Sequence, residues 1–305
     1  MELYQRDLLW RCAVTQTLLV AASIPVFFWR GLSIDARGSG TRFMLVVLVA
    51  LLWIYYARFR PDRFGLMAAS TLGALFAIVC ISNVLSLLQY PAAALRRPLI
   101  DPWLASADVL MGIDVGRLAA WTSARPAVAR TLLIAYLTLL PQFGLTVLLH
   151  GVAFKDHRAL WEYVFHFHFC AVGTVLGLAF FPAQCAFLYH GFRPTFDQTR
   201  FINHFTGLRS GEMTVIRLDN IEGLISMPSF HVAGALMVTW SFRRRPAVLA
   251  VLVPLNVALI IATFMSGAHY FVDVPGTALL FGLSLLAHRR WSRRFADASH
   301  VSSQS

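Results

Sequence analysis

Eight apolar runs constrain the fold of this chain more than any other feature of its sequence. A helix needs about 20 apolar residues to cross the hydrocarbon core of a bilayer, and only 13% of the 305 residues are charged. We therefore predict an all-α polytopic membrane protein with about eight transmembrane helices. The predicted spans are residues 12–29, 43–57, 66–88, 131–150, 160–188, 229–242, 247–268 and 270–288.

Basic residues are concentrated on one side of this predicted topology. Arginines fill positions 243–245 after the sixth span, and four more lie between positions 289 and 294. The positive-inside rule places such segments in the cytoplasm. We therefore predict a multi-pass protein of the inner (plasma) membrane, with both termini cytoplasmic and with the long loops, 89–130 and 189–228, facing the periplasm or the exterior. Anchoring at helix ends also explains the net charge of +11 without a nucleic-acid partner.

A histidine and an aspartate lie between the last two predicted spans. His269 and Asp273 are four residues apart, a spacing that puts two side chains on one face of a helix. An aspartate that accepts a hydrogen bond from one imidazole nitrogen leaves the other nitrogen neutral and nucleophilic. A purely structural polar pair is the alternative, and it is the more frequent one for this pattern alone.

A second histidine, His231, follows the start of the sixth span. The residues before it, Pro228–Phe230, suit a first helical turn with Ser229 near the N-cap, and a helix N-terminus favours an anion. His231 is twelve residues, or about 18 Å, from Arg243. That distance places it below the outer surface of a hydrocarbon core about 30 Å thick. A cap beside a hydrogen-bonded structural histidine is the alternative.

The two histidines together favour phosphoryl transfer in a cavity that opens outward. In this hypothesis His269 attacks phosphorus, Asp273 orients it and balances its charge, and His231 protonates the leaving oxygen. A phosphohistidine intermediate then passes its group to water or to an alcohol.

Two motifs also carry a resemblance to a known family. Pro228–His231 and Gly267–Asp273 are similar to the second and third motifs of the type 2 phosphatidic acid phosphatase superfamily. Ser-Phe-His with His-Tyr-x-x-Asp resembles more narrowly the inositol phosphorylceramide synthase-like (inositolphosphotransferase) branch, and Asp101–Asp114 is similar to a segment of that branch. The resemblance implies a catalytic six-helix membrane core over residues 61–290, with two further N-terminal helices in 1–60. We predict a disordered basic and polar tail at 291–305.

The resemblance implies a metal-independent enzyme, without a cofactor, that acts on lipid-linked phosphate. It makes His269 the nucleophile, Asp273 its partner, His231 the general acid and Ser229 a phosphate-binding residue. Two phosphate-holding cations of the family pattern are missing from the sequence. The first motif, Lys-x₆-Arg-Pro, is absent, and Thr263 stands where an arginine is expected.

Other cations must then hold the phosphate, and we predict Arg193 and Arg209 of the second outer loop for this role. Tyr270, Asp101 and Asp108 complete the predicted substrate-binding set. Asp101 and Asp108 are seven residues apart, so they share one face of a short amphipathic helix in the membrane interface. A solvated carboxylate face is the alternative to a role in the site.

The fifth span contains the cluster that most resembles a metal site, formed by Glu162, His166 and His168. Glu162 and His166 are four residues apart and can pair. His166 and His168 are two residues apart, so on a helix they point to nearly opposite sides and cannot bind one ion. We therefore predict no metal site.

The sequence thus predicts a lipid phosphotransferase that moves a phosphoryl or phospho-head-group from a membrane lipid to an alcohol acceptor. A lipid phosphate or diphosphate phosphatase, with water as the acceptor, is the alternative within the same chemistry. A transporter with a His/Asp relay is the alternative from another class, but the sequence has no internal repeat and no pair of broken helices. An inactive scaffold is disfavoured by the intact pair and by His231.

Overall fold

The computed structural model describes residues 2–301 and confirms the all-α architecture. Two three-residue strands, β1 (Ser33–Asp35) and β2 (Val215–Arg217), form one parallel pair, and a π-helical turn (Leu149–Ala153) and a 3₁₀ turn (Leu218–Asn220) accompany the α-helices. The α-helices are α1 (Glu2–Arg30), α2 (Gly40–Phe59), α3 (Arg63–Ala94), α4 (Asp101–Leu110), α5 (Val115–Ser123), α6 (Pro126–Leu137), α7 (Leu139–Leu148), α8 (His157–Phe180), α9 (Ala186–His190), α10 (Thr199–Ser210), α11 (Phe230–Ser241), α12 (Pro246–Met265) and α13 (Asp273–Val301).

Within residues 2–301, six helical runs are long and apolar enough to cross a membrane. They are α1, α2, α3, α8, α12 and the continuous run 126–153, which joins α6, α7 and the π-helical turn. The two other predicted spans correspond to α11, which is apolar but only 12 residues long, and to α13. Large apolar side chains such as Phe28, Val251 and Leu279 are exposed on these helices, as expected for surfaces that face lipid rather than water.

Several predicted boundaries differ from the structure. The fifth span was predicted to reach residue 188, but α8 ends at Phe180 and a separate short helix, α9, follows. Phe181 is non-helical, with φ −134° and ψ 59°, because a residue that precedes a proline, here Pro182, is disfavoured in the helical region. The two long loops are also partly helical, since they contain α4, α5 and α10.

The central helix of the fold is α11, which packs against α7, α8, α12 and α13. Ala233, Ala235, Met237 and Val238 of this helix belong to the main apolar cluster, which α3 and α8 also build. Leu8 and Cys12 of α1 are buried in the same cluster, so the first helix packs onto the core that was predicted to begin at residue 61. The start of α11 is thereby held at a fixed place among four other helices.

The last helix begins at Asp273, with Pro275 in its first turn, where a proline lacks no helical donor. It continues through Val301, so much of the segment predicted as a disordered tail is helical, and residues 302–305 lie outside the described part of the chain. Trp291 is buried and donates a hydrogen bond to Asp7 of α1 at 2.9 Å. The far end of α13 therefore packs against the first helix.

Candidate active site

His269 lies in the turn between α12 and α13, and its imidazole is held by Asp273. Nδ1 of His269 is 3.0 Å from Oδ2 of Asp273. The predicted helix over 270–288 begins only at Asp273, so the pair meets across a turn rather than along one helical face. The same carboxylate oxygen accepts hydrogen bonds from the Tyr270 N–H at 3.2 Å and the Ser226 hydroxyl at 3.3 Å. When His269 is neutral, this arrangement puts its proton on Nδ1 and its lone pair on Nε2.

Ser229 joins this pair to the start of α11. Its Oγ lies 3.3 Å from Nε2 of His269, so the hydroxyl donates to the nitrogen that carries the lone pair. The same oxygen caps α11 by accepting from the Val232 N–H at 3.4 Å, and the Ser229 N–H donates to Thr277 Oγ1 at 2.8 Å. The side chains of Ser229, His269 and Asp273 are all buried. They form one hydrogen-bonded chain at an N-terminus that favours anions.

His231 stands on the first turn of α11, against Tyr136 of α6. The two rings are stacked with centroids 4.0 Å apart, and the Tyr136 hydroxyl lies 3.2 Å from Nδ1 of His231. His231 is half-buried, and it lies two residues after Ser229, whose hydroxyl contacts His269. The tyrosine therefore fixes the plane of an imidazole that remains partly accessible beside the buried nucleophile candidate.

The carboxylates of α4 hold the turn that carries His269. Asp108 accepts hydrogen bonds from the backbone N–H groups of Phe271 and Val272 at 3.0 and 2.8 Å. Asp101 accepts the Tyr270 hydroxyl at 2.8 Å and the Gln184 N–H at about 3.0 Å. Both carboxylates are thus occupied by donors of the protein itself.

The alternative of a solvated carboxylate face on α4 is wrong. Asp101 is fully buried and Asp108 is 4% exposed, whereas Trp103 and Leu110 are 79% and 88% exposed. Burial raises the pKa of both carboxyl groups, while the hydrogen bonds that they accept lower it. Periodicity identifies two faces of a helix but not which face turns inward, and at a membrane interface the apolar face can be the outer one.

A second loop lies alongside the His269 turn. Gly267 has φ +83°, and a Cβ atom there would lie 2.5 Å from the ring of Phe192, so only glycine fits. The Gly267 carbonyl accepts the Phe187 N–H at 3.1 Å, and the Ser266 carbonyl accepts the Thr195 N–H at 2.9 Å. The loop around Phe192 is therefore fastened to the residues that precede His269.

The two predicted arginines differ in their surroundings. Arg193 is exposed on the loop that is fastened to the His269 turn. Arg209 donates a hydrogen bond to the Arg97 carbonyl at 2.9 Å, and its charge interacts with that of Asp101. Burial lowers the pKa of Arg209.

Thr263, at the position where an arginine was expected, is buried and accepts the His269 N–H on its carbonyl at 3.1 Å. Phosphate binding by Arg193 and Arg209 stays a prediction.

Sequence reasoning missed four residues that contact the predicted ones: Tyr136, Gln184, Ser226 and Thr277. Thr277 lies four residues after Asp273 and donates to its carbonyl, so helical spacing was a usable signal for this residue alone. Ser226, Gln184 and Tyr136 carried no such signal, because their partners are distant in the sequence.

Comparison with known families gives one finding. A family model described as the PAP2 superfamily matches residues 102–287, and this range contains His231, His269 and Asp273. Comparison with curated proteins found no match, and neither did comparison with solved structures. The family match supports an enzyme with an activity of the lipid phosphatase or phosphotransferase type. Because the matched range covers more than half of the sequence, this chain belongs to the PAP2 superfamily.

Proposed function

We propose that this protein is an integral membrane phosphotransferase that moves a phosphoryl or phospho-head-group from a lipid to an alcohol through a phosphohistidine at His269. One observation carries the proposal: the hydrogen-bonded chain of Ser229, His269 and Asp273 lies at the N-terminus of α11. That chain leaves Nε2 of His269 as an acceptor, directed at the place where free N–H groups favour an anion.

The proposed reaction has two steps, formation of the phosphohistidine and transfer of its phosphoryl group to the acceptor. In the first, the lone pair of His269 Nε2 attacks phosphorus, the N–P bond forms, and the P–O bond to the leaving group breaks as His231 gives its proton to the leaving oxygen. In the second, His231 takes the proton of the acceptor hydroxyl, the acceptor oxygen bonds to phosphorus, and the N–P bond breaks. Asp273 accepts the Nδ1–H throughout and balances the charge on the imidazole.

The phosphate oxygens need donors while charge builds up on them. Ser229 and the first-turn N–H groups of α11 supply such donors, and Arg193 on the neighbouring loop and Arg209 near Asp101 supply positive charge. We assign Asp101, Asp108 and Tyr270 to the support of the His269 turn, because their polar groups are engaged with one another or with the backbone of that turn.

The site faces the periplasm or the exterior in this proposal, and both termini are cytoplasmic. Ser229 caps the start of α11, whereas arginines 243–245 follow its other end. The candidate active site and this basic cluster therefore lie at opposite ends of the same helix, and the positive-inside rule assigns the basic end to the cytoplasm. Labelling of single-cysteine variants in intact cells tests this orientation. Ser123→Cys should react with an impermeant maleimide, and Arg244→Cys should not.

The acceptor separates the two forms of the proposed activity. The absence of the phosphatases' first motif and the resemblance of His231 and His269 to the inositolphosphotransferase-like branch favour an alcohol. Water as the acceptor makes the protein a lipid phosphate or diphosphate phosphatase. Proteoliposomes that contain a radiolabelled lipid phosphate, with and without a soluble polyol, separate the two, because transfer yields a labelled phospho-alcohol and hydrolysis yields inorganic phosphate alone.

Chemical stability of the phosphoenzyme tests the nucleophile. The full-length protein is quenched during turnover of labelled lipid phosphate, and the trapped label is treated with acid or with alkali. A phosphohistidine is lost in acid and survives alkali. The His269→Ala variant then traps no label and releases no product, whereas His157→Ala, at the start of α8, behaves as the wild type.

Ser229 provides the competing assignment, since a hydroxyl 3.3 Å from Nε2 of His269 also suits a serine nucleophile with a histidine base. A label that survives acid and is lost in alkali would show that Ser229, not His269, carries the phosphoryl group. Unchanged turnover by a folded His269→Ala variant would exclude both assignments.

A further inference from the structure

A second cluster of ionisable side chains lies at the other end of the protein. Glu162 and His166 belong to α8, and His288 belongs to α13. Their candidate ligand atoms all lie within 4.8 Å of one another. Arg243, which follows the end of α11, bonds to Glu162, so the cluster is separated from Ser229 by the length of that helix. We infer that this cluster binds a divalent transition-metal ion of the zinc type, with Glu162, His166 and His288 as its three protein ligands.

The hydrogen bonds of Ser284, which orient the ring of His166, supply the first evidence. The Ser284 hydroxyl donates its proton to the Phe281 carbonyl at 2.6 Å. The same oxygen therefore accepts the Nδ1–H of His166, at 3.0 Å. A neutral His166 then has its lone pair on Nε2. That nitrogen is buried, has no hydrogen-bond partner among the described residues, and lies 3.6 Å from Oε1 of Glu162. Two electron-rich acceptors thus face each other, and a cation between them removes the repulsion.

The outer contacts of the cluster match those of metal-bound histidines, which usually engage their second ring nitrogen with a neighbouring polar group. His166 engages Ser284 in this way, and His288 engages the Tyr4 hydroxyl through Nε2 at 2.9 Å.

The carboxylate of Glu162 is also held by neighbouring donors. Its Oε2 accepts a hydrogen bond from Arg243 at 2.9 Å, and its Oε1 accepts one from Trp240 at 3.2 Å. Glu162 and His166 are therefore oriented before an ion arrives, and His288 is held on its outer side by Tyr4.

The ligand set and spacing favour zinc. Two imidazoles and one carboxylate with one open position form a zinc ligand set, at bonds of about 2.0–2.2 Å. Ligand atoms around a tetrahedral ion are then about 3.3–3.6 Å apart, so the 3.6 Å contact fits as it stands. The other ligand atoms lie within 4.8 Å of one another, so an ion must draw His288, which is only half-buried, closer to the pair.

A cavity of about 330 Å³ gives the cluster an entry path, since Glu162 and His288 line it. The same cavity is lined by five arginines, which oppose a bare cation. They favour an anion as the fourth ligand, so the expected occupant is a zinc ion with a bound hydroxide or phosphate. The arginines are Arg158, Arg243, Arg244, Arg245 and Arg289.

The bound ion would fasten three helices at this end of the protein. Its ligands belong to α8 and α13, and Tyr4 on His288 adds α1. A ligand that binds only the folded state stabilises that state by mass action. A bound ion would therefore stabilise the folded protein, and its occupancy is independent of the chemistry proposed at His269.

Metal binding by the full-length protein in detergent tests the inference without any measurement of turnover. The purified protein is stripped with EDTA, dialysed against Zn²⁺ and measured by elemental analysis, and Co²⁺ serves as an absorbance probe of four-coordinate geometry. We expect about one ion per chain, as for a single three-ligand site, and a higher unfolding temperature with Zn²⁺. His288→Gln should lose the ion, and Ser284→Ala should weaken binding by roughly 10- to 100-fold. His157→Gln, a histidine of α8 outside the cluster, should bind as the wild type.

Equal zinc content in the wild type and in His288→Gln would overturn the inference and leave a protonated His166 paired with Glu162. A wild type without a Co²⁺ absorbance band would have the same consequence. Ser284→Ala keeps all three ligands, so it provides the decisive comparison if His288→Gln fails to fold.

Discussion

Replacing Asp108 by asparagine tests whether α4 positions the His269 turn. Asp108 is 4% exposed, and its two oxygens accept the N–H groups of Phe271 and Val272 at 3.0 and 2.8 Å. Asparagine has nearly the same shape, but its NH₂ group must face one of these N–H donors. The variant therefore loses one hydrogen bond to a charged group, which contributes about 1.5–3 kcal/mol.

The expected size of the effect follows from that free energy. If the whole loss falls on the arrangement that presents His269 to phosphorus, kcat decreases by roughly 10- to 150-fold, since 1.36 kcal/mol corresponds to a factor of ten. KM should change little, because Asp108 contacts backbone N–H groups of the protein. A substrate-binding Asp108 predicts the opposite pattern, with a raised KM and an unchanged kcat.

The assay is steady-state release of phosphate or phospho-product from a lipid phosphate in mixed micelles, with the unfolding temperature measured in parallel. Ser106→Ala is the matched control, because Ser106 lies on the exposed side of the same helix and bonds only within it. An Asp108→Asn variant that is folded and turns over at the wild-type rate would refute the positioning role. A folding defect in both variants would instead mean that α4 tolerates no change.

Three further predictions concern the surroundings of the site. Tyr136→Phe keeps the stacking on His231 but removes a neutral hydrogen bond of about 0.5–1.5 kcal/mol, so steady-state kinetics should show kcat lowered by roughly 2- to 12-fold. Gly267→Ala forces a Cβ atom against Phe192 at φ +83° and should lower the unfolding temperature, by a cost of about 1–3 kcal/mol; an unchanged thermal-shift midpoint would contradict this. EDTA should not alter turnover by His288→Gln, because the metal-spaced cluster found within residues 2–301 is the one that this variant removes; inhibition that a divalent ion reverses would mean that the chemistry needs a metal.

Much of the candidate site was predictable because its parts are local. His269 and Asp273 are four residues apart, and Ser229 caps the helix whose first turn contains His231. Short-range spacing was therefore sufficient to propose the His269–Asp273 pair and the Ser229–His231 pair. The membrane class followed from the lengths of the apolar runs. The local backbone of the His269–Asp273 pair was not predictable in this way. The two residues meet in a turn, whereas helical periodicity predicted that they share a helix.

The environment of the α4 aspartates could not be predicted from the same kind of pattern. Their spacing of seven residues gave one helical face for both, but the outward direction of Trp103 and Leu110 depends on where α4 lies relative to the bilayer and to the His269 turn. The Asp101 contact with Tyr270 joins residues 169 positions apart. No local rule contains that contact.

By itself the sequence determined that this chain is a bundle of membrane helices, and which apolar segments form them, because these properties depend on hydrogen bonds and apolar runs within one segment. The tertiary structure alone decided which segments meet. It brought Ser229 of α11 to His269, Tyr136 of α6 to His231, and His166 of α8 to His288 of α13. Helical periodicity gives each helix its faces but not its neighbours, and these pairings depend on the neighbours.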